Sequence, residues 1–527
     1  MIKAQGPVII GGGIAGMRTA LQLLRQGWNV KLLDRHPINR MGGLGRTAFG
    51  GMALNSTREQ KLWRIPDTPE RMLEDWLSFA DFNADDIWPR RWAEHYVEHC
   101  RRDVYDDVRS LGLSFMPAVN WVERGLYRPG NSLPRYHVLW GTGWGLVEAL
   151  KRALQPYLAS QRLQWLAEAE VLDFQEVVSG WDLRYRIQGQ EEELTTPLLI
   201  LAAGGWTGQL QKVREYWPRA PSDMLNGSHP FCNGALHVRA EQRGAAFTHQ
   251  EAMWNYAAGI AHPQPEFEGH GLSLIPPKSA LWLDHKGRRL GPEPWVAGFD
   301  THALCHRMSD LEQPWTWQLL NRRIALRELS ISGAEHNPDI REINRLRFAR
   351  QMVMGNTWLY EQLQQSPDVV VAETLPELAE AMNRRFPTAP IDLACLSSSV
   401  QGYDQQVSMG RAYWNDDQLR RLDQLRQWRS ERLRTCSAAP ILQSGSGPLV
   451  AMRLRLITRK SLGGIVTNIN SQVIGRDGQA MAGLYAVGEM SGFGGGGSSG
   501  QRSLEGTFIA GCHLTAWQAA RHIGSGA

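Results

Sequence analysis

"GPVIIGGGIAGMRTALQLLRQGWNVKLLDR", residues 6–35, passes from an apolar run through glycines into an amphipathic stretch, and through Gly27 into a second apolar run closing on Asp34. This order predicts a strand, a helix and a second strand, a βαβ unit. Within it, Gly11-x-Gly13-x-x-Gly16 has a physical reading. Gly11 permits the tight turn, Gly13 leaves room for a pyrophosphate to approach backbone N–H groups, and Gly16 lets helix and strand pack closely. The helix N-terminus then faces the phosphates. Asp34, at the end of the second strand, can accept hydrogen bonds from ribose hydroxyls. The unit predicts a dinucleotide site, and from these residues alone NAD and FAD both remain open.

A chain of 527 residues is too long for one simple core, and two or three units are expected. Hydrophobic residues are 43%, charged residues 21%, and the net charge is only +4, the profile of an ordinary globular protein. That balance gives no case for nucleic acid, and clusters such as Arg420 with Arg421 read as solvated helix faces. The six cysteines are scattered, without CxxC or His/Cys ligand spacing, so no metal site and no disulfide framework is expected. No stretch approaches the roughly 18 to 20 apolar residues of a membrane span. A signal peptide is not expected either, and a cytoplasmic location is. The 21 tryptophans read as core filling.

Further along, residues 66–111 carry apolar positions three and four apart and predict a helical insertion. "GTGWGLVEALKRAL" opens another helix, "WDLRYRI" alternates as a strand, and "PLLILAAGG" is a buried strand ending at Gly204 and Gly205. Between residues 246 and 445 the composition turns to Arg, Glu, Trp and Pro, and strand-then-glycine patterns become rare. They return after residue 446. The fold class expected is α/β, a nucleotide-binding domain in two sequence parts, 1–245 and 446–527, interrupted by a domain at 246–445.

The last segment favours FAD. "GLYAVGE" is an apolar strand ending at Gly488 and Glu489, which places Glu489 near the ribityl or pyrophosphate region. "SGQRSLEGTFIAG" then leads into a helix expected to begin near Ser503. Free N–H groups of Ser503 and Leu504, with the helix dipole, would stabilise negative charge on the N1 and C2 carbonyl edge of a reduced flavin. The glycines between Gly494 and Gly497 are read as allowing the backbone close to cofactor or cap.

The chain resembles the FAD-binding dehydrogenases of the fumarate reductase and succinate dehydrogenase flavoprotein superfamily, in the branch related to 3-ketosteroid dehydrogenases. "WPRRWAEHYV", "GNSLPRYHVLWGTGWGLVE", "SALWLDHKGRRL", "ITRKSLGGI" and "GLYAVGEMSGFGGGG" carry the resemblance, which runs along nearly the whole chain. It implies a Rossmann-like FAD-binding domain, an inserted α+β capping domain, and non-covalent FAD. By the same resemblance, Gly11, Gly13, Ile14, Ala15, Gly16, Asp34 and Arg35 match the adenosine and pyrophosphate elements. Gly42, Gly43, Thr47, Ala48, Gly50 and Gly51 match the loop beside the flavin. Val171 stands where a strand residue meets the adenine, and Ala203, Gly204 and Gly205 match the ATGG-like strand end. A histidine that bonds covalently to FAD in some members aligns near Leu44, so no covalent link is expected.

For catalysis the resemblance points to Lys460, at a position held by histidine in fumarate reductases, and to Arg502, before the last flavin-binding helix. Two cations there would grip a carboxylate or polarise a carbonyl. Tyr256 is a candidate general acid at a carbonyl oxygen, while His137 reads as a core histidine. The function expected is hydride transfer between a CH–CH or C=C bond of a carbonyl-bearing, steroid-like or other apolar small molecule and the flavin, with a separate electron acceptor or donor. Two alternatives stay open: a fumarate-type reductase fed by an external donor, and a flavin-binding protein without turnover.

Overall fold

The computed structural model describes residues 6–291 and 293–526. Two sheets organise it. The first has six strands in the order Gln472–Ile474, Ala480–Ala486, Leu199–Leu201, Val8–Ile10, Val30–Leu33, Leu163–Leu166. Neighbours from Ala480–Ala486 onward pair parallel, with Val8 opposite both Lys31 and Leu199, and Leu199 opposite Leu484. All three residues of Val8–Ile10 and of Leu199–Leu201 are buried, as short apolar strands of a sheet covered on both faces must be. Residues nearly five hundred positions apart thus share one sheet.

The helix Ile14–Arg25 follows the first strand, and the C-terminal helix Thr507–Gly524 packs against it. Two glycines of the first motif are dictated sterically. Gly11 has φ +111°, and a Cβ there would lie 2.3 Å from the Ala202 carbonyl oxygen; a Cβ at Gly16 would lie 1.9 Å from that of Gly11. Residues 66–111 contain the helices Pro69–Phe79 and Ile87–His99, the latter running on through a wider π-helical turn, Cys100–Asp106, to Ser110.

The second sheet is built around the 13-residue strand Leu449–Ser461. Met253–Ala261 and Trp315–Asn321 flank it antiparallel, Val369–Ala372 also pairs with it, and Leu225–Asn226 adds a short parallel contact. By its pairing this strand lies in the second sheet, and the chain re-enters the first only at Gln472. The tryptophans are largely core: Trp76, Trp92, Trp181, Trp254, Trp282 and Trp317 are fully buried. Among the described residues no helix is long and apolar enough to cross a membrane.

The helical segment is tied to the strand Tyr136–Leu139 by buried charge. Arg135 donates to Asp67 through Nε and Nη2, at 2.9 and 2.8 Å, and also pairs with Asp75. All three side chains are essentially without solvent contact. His137, next but one, is buried, with Nδ1 2.6 Å from the Arg135 carbonyl oxygen and Nε2 2.8 Å from the Thr57 hydroxyl. Burial lowers its pKa to about 4, so it is a neutral core histidine. Replacing Arg135 by Met should leave two buried carboxylates uncompensated, at a cost of about 3–5 kcal/mol. A thermal unfolding midpoint unchanged from the parent would contradict this.

Candidate functional site

Both sheets open onto one cavity of ≈ 480 Å³. At one end it is lined by the first glycine motif. The helix Ile14–Arg25 begins there with no side-chain cap and no acidic residue in its first turn, so its leading N–H groups lack an internal partner. Gly11, Gly13, Ile14 and Ala15 line the cavity, and a Cβ built on Gly13 meets no atom within 4 Å. Gly43, at φ +54°, faces the same space across an isolated bridge between Gly13 and Gly42. A helix N-terminus facing a side-chain-free hollow fits a pyrophosphate. Gly16 does not line the cavity; its place is the helix–strand contact.

Beyond the glycines, Asp34 Oδ2 accepts from the Gly12 N–H at 2.5 Å and Oδ1 from the His36 N–H at 2.8 Å. Arg35 donates to the Phe231 carbonyl at 2.8 Å, and its guanidinium lies 4.7 Å from the Phe231 ring centroid. Val171, on the strand Ala169–Val177, lines the wall beside them. This end suits an adenosine. Gly42, Gly43, Thr47, Ala48, Gly50 and Gly51 line the stretch that follows, as do Ala203 and Gly204. Leu44 lines it too.

At the opposite end the second sheet delivers its polar side chains. Trp254 and Tyr256 are two apart on one strand and so point to the same face. Both donate to Glu505 Oε2, Trp254 Nε1 at 2.7 Å and Tyr256 Oη at 2.8 Å. Lys460 is the register partner of Trp254 on the long strand, and its Nζ lies 4.0 Å from the Phe508 ring centroid. Burial lowers the Lys460 pKa to about 8, with Glu505 opposing the shift and Arg459 adding to it. Burial also holds the Tyr256 phenol well above its usual pKa, and Glu505 adds to that. Arg459 donates to the Gly227 carbonyl at 2.7 Å. Tyr136 reaches the cavity only because position 51 is glycine, where a Cβ would fall 2.0 Å from its hydroxyl.

Glu489 lines the cavity, but its Oε1 already accepts from the Ser461 N–H and hydroxyl at 2.9 and 3.0 Å. Burial raises its pKa against those hydrogen bonds. Gly205 is off the cavity and beneath this contact, where a Cβ would lie 2.1 Å from Glu489 Oε1 and 2.3 Å from Ser461 Oγ.

The structure does not bring Arg502 to the cavity. Its guanidinium binds Asp81 at 2.9 Å and Asp300 at 2.5 Å, joining the helical segment, the C-terminal segment and the helix Thr301–Ser309. Ser503 and Leu504 are buried behind the cavity wall, Ser503 within hydrogen-bond distance of Ser499 and Thr507. The helix itself starts at Thr507, four residues later than the sequence suggested, because Gly506 at φ +100° sets the turn. Gly494 to Gly497 pack against Trp92, the Trp88–Pro89 backbone, Thr248 and His249 rather than against the cavity. Glu505 is the residue sequence reasoning passed over, although it sits in the same "RSLEG" as Arg502; Tyr136 and Phe508 gave no separate signal.

With this geometry in view, the relationships are specific. Residues 7–509 match the FAD binding domain family. A KsdD-like steroid dehydrogenase of Mycobacterium tuberculosis is 34% identical over 539 residues, covering 98% of this chain and 94% of its own. Another KsdD-like steroid dehydrogenase, from Mycolicibacterium smegmatis, is 33% identical over 526 residues, 95% of each. The fold matches 3-ketosteroid delta1-dehydrogenase of Sterolibacterium denitrificans at TM-score 0.72, with 15% identity, over 99% of this chain and 100% of that one. It matches a flavocytochrome c3 fumarate reductase at TM-score 0.69, with 16% identity, over 99% and 78%. The chain belongs to the FAD binding domain family and is an FAD-dependent dehydrogenase.

The Gly13 hollow supplies a direct check. Gly13→Ala has room to fold, since no protein atom lies within 4 Å of the added Cβ, and the larger Gly13→Val reaches further into the hollow offered to the pyrophosphate. The purified variant should keep its thermal unfolding cooperativity and lose flavin absorbance; a fully yellow Gly13→Val protein would overturn this assignment.

Proposed function

We propose that the protein oxidises a carbonyl-activated CH–CH bond of an apolar, steroid-like substrate, and that Tyr256, Glu505 and Lys460 carry the proton chemistry. The observation behind this is the convergence of a phenol, a carboxylate and a buried ammonium at one end of a cavity whose other end suits a dinucleotide. The near full-length similarity to two proteins named steroid dehydrogenases supports the substrate class. The chain would divide into a Rossmann-like FAD-binding domain in two parts and a capping domain between them, a division supported by a first sheet drawn from both ends of the chain. FAD would be held without a covalent bond, with Leu44 beside it, and electrons would leave to a separate acceptor.

FAD, when bound, supplies the two-electron acceptor for the hydride. The protein must handle the remaining proton. In this reading Tyr256 Oη takes the proton from the carbon next to the carbonyl as it passes its own proton to Glu505 Oε2, along the 2.8 Å hydrogen bond. A phenol buried enough to resist ionisation needs such a carboxylate partner. Trp254 Nε1 holds the same carboxylate oxygen from the side and fixes its direction. Lys460 and Arg459, both facing the cavity, offset the negative charge that develops on the substrate oxygen.

Tyr256→Phe should keep FAD and lower kcat by about 10²–10⁴. Glu505→Gln should also lower kcat, because the amide cannot receive the proton. Anaerobic bleaching of the flavin by a panel of 3-ketosteroids, acyl compounds and dicarboxylates reads both the substrate class and the rates. Bleaching by dicarboxylates alone, or Tyr256→Phe at the parent rate, would sink the reading.

Lys460 adds a pH dependence of defined sign. With its pKa near 8, the ammonium is present below that pH and is lost as pH rises through it. The parent should therefore slow above about pH 8, and Lys460→Met should remove that limb while being slower at pH 7. A parent profile flat between pH 7 and 9.5 would contradict the role.

A further inference from the structure

We infer that the helix Arg345–Met354 is a docking element for an anionic lipid surface. None of its ten residues is buried. Phe348 anchors it, packing edge-on against Trp140 with ring centroids 5.5 Å apart. Opposite that anchor the helix presents apolar side chains to solvent, where Leu346 is 87% exposed, Val353 80% and Met354 69%, with Ile343 just ahead at 46%. At 100° per residue Leu346 and Val353 point the same way, with Ala349 beside them, so they form the centre of the outward face.

Arginines border that face. Arg345 lies on one side, and Arg347 and Arg350 on the other; residues 341–354 hold four arginines against a single acid, Glu342. Arg347 is drawn to Asp339 at 3.0 Å and Arg341 to Glu342 at 3.0 Å. Arg345 and Arg350 form no ion pair among the described residues. An apolar centre with guanidinium flanks is the arrangement of a helix lying in a bilayer interface, the long side chains reaching the phosphate level while Leu and Val enter the acyl boundary. A protein partner would have to meet both features with an apolar centre and an acidic rim, whereas an anionic bilayer offers both everywhere.

The position matters as much as the composition. The helix follows Glu335 and His336, which line the cavity, and the intervening Arg341 lies 6.0 Å over the ring of Trp144, another lining residue. The chain that lines this part of the cavity thus runs within ten residues into the lipid-facing helix, which would hold the cavity close to a bilayer carrying an apolar substrate. That consequence rests on the substrate class proposed above; the lipid contact does not.

The test uses the full FAD-loaded protein without substrate, so it is independent of the steroid reading. Flotation with phosphatidylglycerol–phosphatidylcholine vesicles should recover the protein, and pure phosphatidylcholine or high salt should not. Leu346→Glu with Val353→Glu should lower recovery by about tenfold or more, with flavin content and unfolding midpoint unchanged. Arg345→Gln with Arg350→Gln should remove the preference for phosphatidylglycerol. Failure to bind phosphatidylglycerol vesicles, or equal binding by the double glutamate variant, would overturn the inference. So would a parent dimer that this variant dissolves, which would give the face to a second copy of the chain.

Discussion

Three chain segments meet where Gly205 has no side chain. The strand Leu199–Leu201 leads to Gly205, the strand Ala480–Ala486 leads to Glu489, and the long strand of the second sheet ends at Ser461. Glu489 accepts two hydrogen bonds from Ser461 directly over Gly205, in a space any Cβ would fill. Hydrogen bonds to a buried carboxylate contribute about 1.5–3 kcal/mol each, and losing them would strand a buried charge. The contact sets where the second sheet touches the first. Lys460 and Arg459 immediately precede Ser461, so the same contact sets the place of both cations in the cavity.

Given that junction, the chemistry at the cavity's far end follows from strand geometry. A period of two puts Trp254 and Tyr256 on one face, and antiparallel register puts Lys460 opposite Trp254. The remaining partner, Glu505, comes from a different element altogether. It sits in the turn closed by Gly506, whose carbonyl accepts from Ala53 N–H at 2.8 Å and whose bare Cα lies tight against the strand Gly51–Ala53. A carboxylate on a turn, fixed by backbone packing, meets two donors fixed by a sheet. Such a group is preorganised because neither side has freedom to move away.

The division between Arg502 and Glu505 shows where sequence reasoning stops. Both lie in "RSLEG", and a matching position in a related family drew attention to the arginine. Asp81 and Asp300 are 421 and 202 residues away along the chain, yet they claim its guanidinium. Glu505, three residues on in a non-helical turn, points to the other side. Spacing of three residues fixes a common face in a helix, but the helix begins only at Thr507. The same limit applies to Gly494–Gly497, where the sequence suggested a close backbone approach to cofactor or cap, while the neighbours the fold supplies are Trp92 and His249.

By itself the sequence determined the βαβ unit and its glycine turn, and it singled out Asp34, Val171, Lys460 and Tyr256, all of which line the cavity. The βαβ unit and its glycines depend on local periodicity and on steric demands that glycine alone meets, both written in neighbouring residues, whereas Val171 and Lys460 were legible only through the family resemblance. Tertiary structure decided that the strand after residue 446 belongs to the second sheet, that Arg502 pairs with Asp81 and Asp300 away from the cavity, and that Glu505 joins Tyr256. Those outcomes turn on which carboxylate reaches which donor across more than two hundred residues, and on the low dielectric that makes an unpaired buried charge costly. Neither distance nor burial is encoded at any one position, so only the folded chain assigns them.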